Sequence, residues 1–402
     1  MKEKFLSFLK KRIEFLSFKE VKYVLKIFSL KERVIFIFFA FVFIVSISII
    51  IWKASGSMFI NIPATGGTLI EGIIGTPRFI NPLLEFSDAD RDMVNLIYSG
   101  LLKPDNKKGL IPDLAEKYEI SEDGLSYTFT LKQNLEWQDG KPITSDDVIF
   151  TIKQAKDNIL NSNKRAIWEG VAAEKIDERT IKFTLAKPYV PFLENTTIGI
   201  LPKHIWENAS SGQMVFSEFN ISPVGSGPYM ISKISRNSSG IVDSYALEPF
   251  KKFALGKPYI KRLVLKFYPS EKELVEAYKN EEIDNISAIS PKIAEDINKN
   301  ENTLKTPILP RVFGVFFNHN ENKLFAQKEV REALDLATNK ERIIQEVLKG
   351  YGVKLDYPIP PETFGELNES EKEILLFDLE KAKNILKNAG WKANEEAGIL
   401  KK

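Results

Sequence analysis

Residues 118–155 read YEISEDGLSYTFTLKQNLEWQDGKPITSDDVIFTIKQA, and they contain the most informative local patterns of the chain. Asp123 and Gly124 lie between two short runs of alternating apolar and polar residues. An Asp-Gly pair favours a tight hairpin, because glycine accepts the positive φ of the turn. After the turn, Tyr127 and Phe129 fall on one face of a strand at period two. The pattern predicts a β-hairpin whose second strand has one face in the core.

A second turn and a helix follow the hairpin. Residues 137–142, Trp-Gln-Asp-Gly-Lys-Pro, form the turn. Thr144 is followed three residues later by Asp147, which is the spacing of a capping box at a helix start. We therefore predict a helix from Ser145 through Ala155. A second alternating run over residues 176–185 repeats the hairpin pattern, and we expect both hairpins to share one sheet.

The stretch resembles the signature of the family 5 extracellular solute-binding proteins, the peptide- and nickel-binding receptors of ABC importers. The residues that match the family pattern are Gly124, Tyr127, Phe129, Leu131, Trp137, Asp139, Gly140, Pro142, Thr144, Asp147 and Val148. Further runs resemble the family at residues 79–83, 97–102, 201–204, 223–229, 330–340 and 382–391. The resemblance covers residues 68–402.

The resemblance implies an α/β fold with two lobes, like a type II periplasmic binding protein with an inserted subdomain. It places lobe I at 68–96 and 195–262, the inserted subdomain at 97–194 and lobe II at 263–402. Lobe II would be incomplete, and the acidic residue that receives a peptide's amino terminus has no counterpart here. We expect strands at 263–267 and 312–318 and a helix at 271–280, in alternation.

The resemblance implies a solute-binding protein and not an enzyme, and we expect neither a cofactor nor a metal site. Oligopeptide is the expected solute, and the ABC permease and ATPase subunits are the expected partners. Two alternatives stay open: an anchored sensor or scaffold that kept the fold without transport, and a secreted hydrolase. The hydrolase has little support in the residues, because His204 and His319 are the only histidines and no His-Glu-x-x-His motif occurs.

Composition narrows the class of protein. The chain has 402 residues, 44% hydrophobic and 27% charged, which is enough for a sizeable core. Its net charge of +2 gives no indication of a nucleic-acid partner. It has no cysteine, so disulfides, thiolate metal sites and lipid attachment through cysteine are excluded.

The N-terminal region predicts a membrane anchor. Residues 34–52 carry no charge and span about 28 Å as a helix, close to the thickness of a bilayer's hydrocarbon core. Residues 1–33 hold ten Lys or Arg and four Glu, which leaves a net charge of +6 and favours a cytoplasmic N-terminus. We expect residues 1–33 to form a basic amphipathic leader, 53–67 a linker, and the body to lie outside the cell membrane. A cleaved signal peptide is the alternative.

Four residues are candidates for ligand binding. Phe86, Ser87 and Asp88 follow the Asn81–Pro82 pair, and in the family this loop faces the ligand cleft. The alternative for Asp88 is a solvated cap of the next helix. Trp168 lies among polar neighbours and could pack on a ligand as an exposed aromatic, or pack in the core. Gly225 and Gly227 allow a tight backbone path, so the 223–229 loop is predicted to have a structural role and not a ligand-binding one.

Overall fold

The computed structural model describes residues 28–58, 64–105, 108–301, 304–307, 312–355, 376–394 and 399–401. The chain divides into two compact units between Thr65 and Gly66. The predicted leader, residues 1–33, lies outside the described residues up to position 27.

In the N-terminal unit, the described residues form the helix α1, Leu30–Met58. Its segment Leu30–Ile50 is long and apolar enough to cross a membrane, judged by length and composition. A signal sequence has the same two properties, so both sequence interpretations are compatible with α1. α1 extends beyond the predicted transmembrane span at both ends, and its last residues up to Met58 include the first residues of the predicted linker.

The strands and helices of the second unit are as follows. The strands are β1 Gly66–Ile74, β2 Leu102–Asp105, β3 Gly109–Pro112, β4 Ala115–Ile120, β5 Ser126–Leu131, β6 Val171–Lys175, β7 Thr180–Leu185, β8 Tyr229–Arg236, β9 Val242–Pro249, β10 Ile260–Tyr268, β11 Asn285–Ile286, β12 Lys392–Asn394 and β13 Ile399–Lys401. The α-helices are α2 Asp88–Ile97, α3 Ser145–Ala155, α4 Arg165–Trp168, α5 Phe192–Asn195, α6 Lys203–Trp206, α7 Ser211–Met214, α8 Glu271–Lys279, α9 Pro291–Glu301, α10 Lys328–Leu336, α11 Lys340–Glu346 and α12 Leu379–Asn388.

A five-stranded sheet has the order β11-β1-β10-β9-β8. β1 runs parallel to β10 and β11, and β9 is antiparallel to both β10 and β8. The expected start of lobe II at residue 263 falls inside β10, which pairs with β1 of the predicted lobe I. The pairing Gly66↔Ile260 joins residues far apart in sequence, and no local pattern reports such a pairing.

A four-stranded sheet has the order β4-β5-β7-β6, which confirms that the two hairpins share one sheet. Inward and outward residues alternate along β5 and β7 as predicted. Gly124 has φ 66° in the first turn, as the Asp-Gly pair requires. The chain segment that contains this sheet begins and ends at neighbouring positions, since Leu101 N donates to Thr196 O at 3.0 Å.

The predicted helix cap is present at α3. Asp147 Oδ2 accepts the backbone N–H of Thr144 at 2.8 Å, and this reciprocal bond defines the capping box. Asp147 Oδ1 also accepts Lys203 N at 2.9 Å, which ties α3 to the start of α6. The capping residue therefore also joins two elements that are distant in sequence.

The segment 312–318 differs from the expectation. The sequence predicts a strand in this apolar segment, but the backbone forms no strand there. Phe313, Val315 and Phe316 are exposed, and within the described ranges the segment has no ladder partner. A strand needs a neighbouring strand to satisfy its backbone groups, so the pattern alone is insufficient. Helix α8 is present as predicted at 271–280, one residue shorter.

Candidate functional site

The loop that follows β1 carries three of the four predicted site residues. It leaves the carboxyl end of a strand in a parallel pair, which is where ligands commonly bind in α/β sheets. Asn81, buried in this loop, accepts the N–H of Leu83 at 3.0 Å and donates to Asn220 Oδ1 at 3.1 Å. Asn220 in turn donates to Met214 O at 2.7 Å. The first half of the loop is therefore fixed to a distant part of the body.

Asp90, on the first turn of α2, holds both ends of the loop. Its Oδ1 accepts the backbone N–H groups of Arg78 and Phe79 at 2.7 and 2.9 Å. Its Oδ2 accepts those of Phe86 and Ser87 at 3.1 and 2.9 Å. Asp90 is only 2% exposed. One buried carboxylate thus closes residues 78–87 into a loop of fixed shape, which we call the Asp90 loop.

The charge state of Asp90 agrees with this role. Burial alone would raise its pKa, but the four backbone N–H bonds outweigh burial and hold the pKa of this carboxyl below its usual value. The carboxylate stays ionised near neutral pH and accepts bonds on both oxygens. The bonds are lost only as the pH falls through this lowered pKa.

Ser87 and Asp88 begin α2. Ser87 is the N-cap, and its Oγ accepts Asp90 N at 3.1 Å in a capping box. The alternative that Asp88 caps the helix is wrong, because Asp88 is the first helical residue and pairs with Arg91. The Ser87 hydroxyl keeps a hydrogen that can be donated to a ligand. The two residues can therefore offer a donor and a negative charge side by side.

Phe86 is 84% exposed although its backbone is fixed on both sides. Its N–H is held by Asp90, and its carbonyl accepts Arg91 Nη1 at 2.8 Å. The preceding residue is anchored too, since Glu85 Oε1 accepts Lys164 Nζ at 2.8 Å. An apolar ring on a fixed backbone loses little conformational entropy when it binds, which suits a contact residue.

Trp168 does not join this site. Its side chain is 0% exposed and lies with ring centroids 5.7 Å from both Phe183 and Phe192. The interpretation of Trp168 as an exposed ligand-packing aromatic is corrected to core packing, the alternative that the sequence left open. The aromatic residues of β7 and α5 surround the indole, and the polar neighbours in the sequence gave no sign of them.

The remaining motifs are structural. A Cβ at Gly225 would lie 1.9 Å from Ile97 O, and Gly227 N donates to the same carbonyl at 2.7 Å. The 223–229 loop therefore packs directly against the end of α2, which is why its backbone path has to be tight. His204 Nε2 lies 2.8 Å from Asp139 Oδ2 and joins α6 to the 137–142 turn. Across the described residues, no group of three or more His, Asp or Glu side chains could hold a metal ion.

The sequence interpretation missed Asp90, which does most to shape the site. Ser87 and Asp90 have the spacing of a capping box, so the bond to the helix N-terminus had a visible signal. The bonds from Arg78 and Phe79 had no signal in the sequence, because they form only when the loop folds back onto the start of α2.

Solved structures with this fold are two-lobed binding proteins of mixed α/β content. One is NikZ from Campylobacter jejuni in complex with Ni(L-His), with TM-score 0.64 and 30% identity over 83% of this chain and 65% of that one. Another is the oligopeptide-binding protein AppA from Bacillus subtilis with a nonapeptide, with TM-score 0.63 and 28% identity over 85% of this chain and 67% of that one.

The chain belongs to the bacterial extracellular solute-binding proteins of family 5, whose middle-region model matches residues 109–402. The sequence of the oligopeptide-binding protein AppA of Bacillus subtilis (strain 168) is 31% identical to this chain over 347 residues, which cover 85% of this chain and 62% of AppA. The chain thus spans about three fifths of the length of that relative. Members of the family are binding proteins, so the prediction that the chain is not an enzyme is confirmed.

Proposed function

We propose that this chain is the membrane-anchored substrate-binding component of an ABC importer. It captures oligopeptides or similar small solutes outside the membrane, in a cleft between two lobes, and delivers them to a permease driven by ATPase subunits. The relatives support this proposal, since AppA is named as oligopeptide-binding and has been solved with a nonapeptide.

The observation that carries the proposal is the Asp90 loop with its exposed Phe86. A rigid loop at the carboxyl end of β1 presents an apolar ring, a hydroxyl donor at Ser87 and a carboxylate at Asp88. A peptide offers matching groups in its side chains and its backbone. Peptide affinity that comes largely from backbone hydrogen bonds tolerates many side chains, as a general peptide receptor requires.

The anchor is the second part of the proposal. Residues 34–52 of α1 would cross the membrane with the basic N-terminus in the cytoplasm, which leaves the body outside. An uncleaved anchor would take the place of the lipid attachment that the lack of cysteine excludes. Protease added to intact cells should then degrade the body and spare an N-terminal epitope.

Calorimetry on the full-length protein tests capture. A nonapeptide should bind with an affinity in the micromolar range or tighter, and an equimolar mixture of its free amino acids should not. Hinge closure should reduce the radius of gyration in X-ray scattering when the peptide saturates the protein. A full-length protein that binds no peptide would refute capture. Peptide binding without dependence of peptide uptake on this chain would instead indicate an anchored sensor.

A further inference from the structure

A cluster of basic side chains covers one end of the five-stranded sheet. Residues 250–262, which connect β9 to β10 and include the first residues of β10, contain no acidic residue. Within this range the exposed basic residues are Lys251, Lys252, Lys257, Lys261 and Arg262. Such a concentration of one sign of charge produces a local positive potential.

Two lysines from the neighbouring subdomain strengthen this potential. Lys103 Nζ lies 5.7 Å from the ring centroid of Phe253, and Lys132 Nζ donates to Ala254 O at 3.2 Å. Acidic side chains also reach the segment. Glu136 pairs with Lys252, and the buried Asp113 faces Lys103 and Lys132. Seven basic side chains, five of them exposed, therefore outnumber these two acidic ones and the exposed Glu248 near the end of β9.

Apolar side chains project from the same segment. Leu255 and Tyr259 are exposed between the lysines. Tyrosine has an apolar ring and a polar hydroxyl, so it favours the boundary between water and lipid. Basic residues combined with exposed apolar ones are typical of surfaces that bind anionic membranes. We call residues 250–262, with Lys103 and Lys132, the basic end.

The basic end lies where the chain from α1 enters the body. Gly66 N, at the start of β1, donates to Tyr259 O at 2.8 Å, and Gly66 pairs with Ile260. Seven residues separate the last residue of α1 from the first of β1. A chain of this length reaches at most about 28 Å. A short connection of chain therefore joins α1 to this end of the body.

The candidate site is at the opposite end of the same strand. β1 has nine residues, so its two ends are about 30 Å apart. The Asp90 loop follows the carboxyl end of β1, and the basic end adjoins its amino end. A body that rests on its basic end would therefore hold Phe86 away from the membrane surface.

We propose that the basic end is a docking surface for the anionic lipid headgroups of the membrane that α1 crosses. The docked state is the resting posture of the receptor, in which the Asp90 loop faces the solution and captures solute. The body must then lift from the lipid to reach the permease. This inference rests on the proposed anchor and goes beyond it, because an anchor alone would leave the body free to tumble.

The absence of native cysteine allows a direct test with the full chain. A donor dye on Leu255→Cys reports on the basic end, and a donor on Arg78→Cys reports on the opposite end. Each protein is placed in nanodiscs that carry acceptor-labelled lipid, either of neutral phosphatidylcholine or with about a third phosphatidylglycerol. We expect energy transfer from position 255 to exceed that from position 78 in anionic discs. The excess should disappear in neutral discs and in about 1 M salt, where the Debye length is about 3 Å.

Charge reversal supplies the variant and its matched control. Lys251, Lys252 and Lys257 are changed together to Glu, while Lys272, Lys279 and Lys292, exposed on α8 and α9, are changed to Glu in the control. Both variants have the same net charge, and tryptophan fluorescence checks that each is folded. The first should lower transfer from position 255 to its neutral-disc value, and the control should retain the excess.

Three results would overturn the proposal. Energy transfer from position 255 that does not depend on phosphatidylglycerol would exclude docking on anionic lipid. An equal loss of energy transfer in both charge-reversal variants would assign the effect to net charge. Transfer that rises only when a permease is added to the discs would assign the surface to a protein partner. Failure of the anchor gives a different result, since the chain itself would leave the discs in about 1 M salt.

Discussion

Replacing Asp90 with asparagine tests how the candidate site is built. The amide keeps one acceptor oxygen and replaces the other with a donor, so at least two of the four backbone bonds are lost. Hydrogen bonds to a charged group contribute about 1.5–3 kcal/mol each. We therefore expect Asp90→Asn to destabilise the closed loop by about 3 kcal/mol or more, which is on the order of 10²-fold in the opening equilibrium.

Amide hydrogen exchange measures this opening locally. Protection at Arg78, Phe79, Phe86 and Ser87 should fall in Asp90→Asn by that factor, while the amides of β5 keep theirs. Peptide affinity should fall as well, because the loop must be reordered on binding. Asp92→Asn is the matched control, since Asp92 is an exposed aspartate two positions further along the same helix.

If the four amides kept their wild-type protection in Asp90→Asn, the Asp90 carboxylate would not hold the loop closed. The same loss of protection in Asp92→Asn would also contradict this role, because a general effect of charge on α2 would then explain the result. Low pH offers an independent check. The lowered pKa of Asp90 keeps the loop closed at pH 5, and protection should be lost only in stronger acid.

Three further predictions concern the stability of the body. Gly225→Ala should cost at least about 3 kcal/mol, because the added Cβ would lie 1.9 Å from Ile97 O. Gly212→Ala, whose Cβ would have no neighbour closer than 3.8 Å, should change the denaturant midpoint little. Burial raises the pKa of Asp113 to about 6, so wild-type stability should fall as the pH rises from about 4 to about 6. The advantage of Asp113→Asn should grow to about 3 kcal/mol at pH 7, and an advantage that stays flat with pH would contradict the assignment. Trp168→Ala should lower the free energy of unfolding by about 3–5 kcal/mol, as for other buried aromatics, and a loss below about 1 kcal/mol would place the indole outside the core.

Short-range patterns predicted the four-stranded sheet and α3 well. The alternation in β5 and β7, the glycine of the turn and the cap at Thr144 each act within a few residues. Their physical causes are the period of a strand, positive φ and unsatisfied helix N–H groups, all of which are visible in sequence.

Features that depend on distant neighbours could not be predicted from local sequence. The partner of β1 is β10, which is distant in sequence, and the predicted boundary at residue 263 lies inside that strand. Trp168 is buried by residues of β7 and α5, although its sequence neighbours are polar. Residues 312–318 have the apolar composition of a buried strand but no described partner. In each case tertiary contacts decided the outcome, and propensity did not.

The same division holds for the candidate site. The family resemblance located residues 86–88, and the structure places them together at the start of α2. The shape of the loop depends on Asp90, which bonds to residues on both sides of the loop. The carboxylate accepts four backbone N–H groups, but the only sign of this in the sequence is the spacing of the capping box.

The most direct test of the account is the affinity of the full-length protein for a nonapeptide, measured for the wild type, Phe86→Ala and Phe216→Ala. Phe216 is 88% exposed and lies outside the Asp90 loop, so it controls for loss of an exposed ring. We predict that Phe86→Ala weakens binding on the order of tenfold, about 1.4 kcal/mol, with an unchanged unfolding midpoint. Phe216→Ala should bind as the wild type does. Equal affinities for all three proteins would contradict the claim that the Asp90 loop contacts the solute.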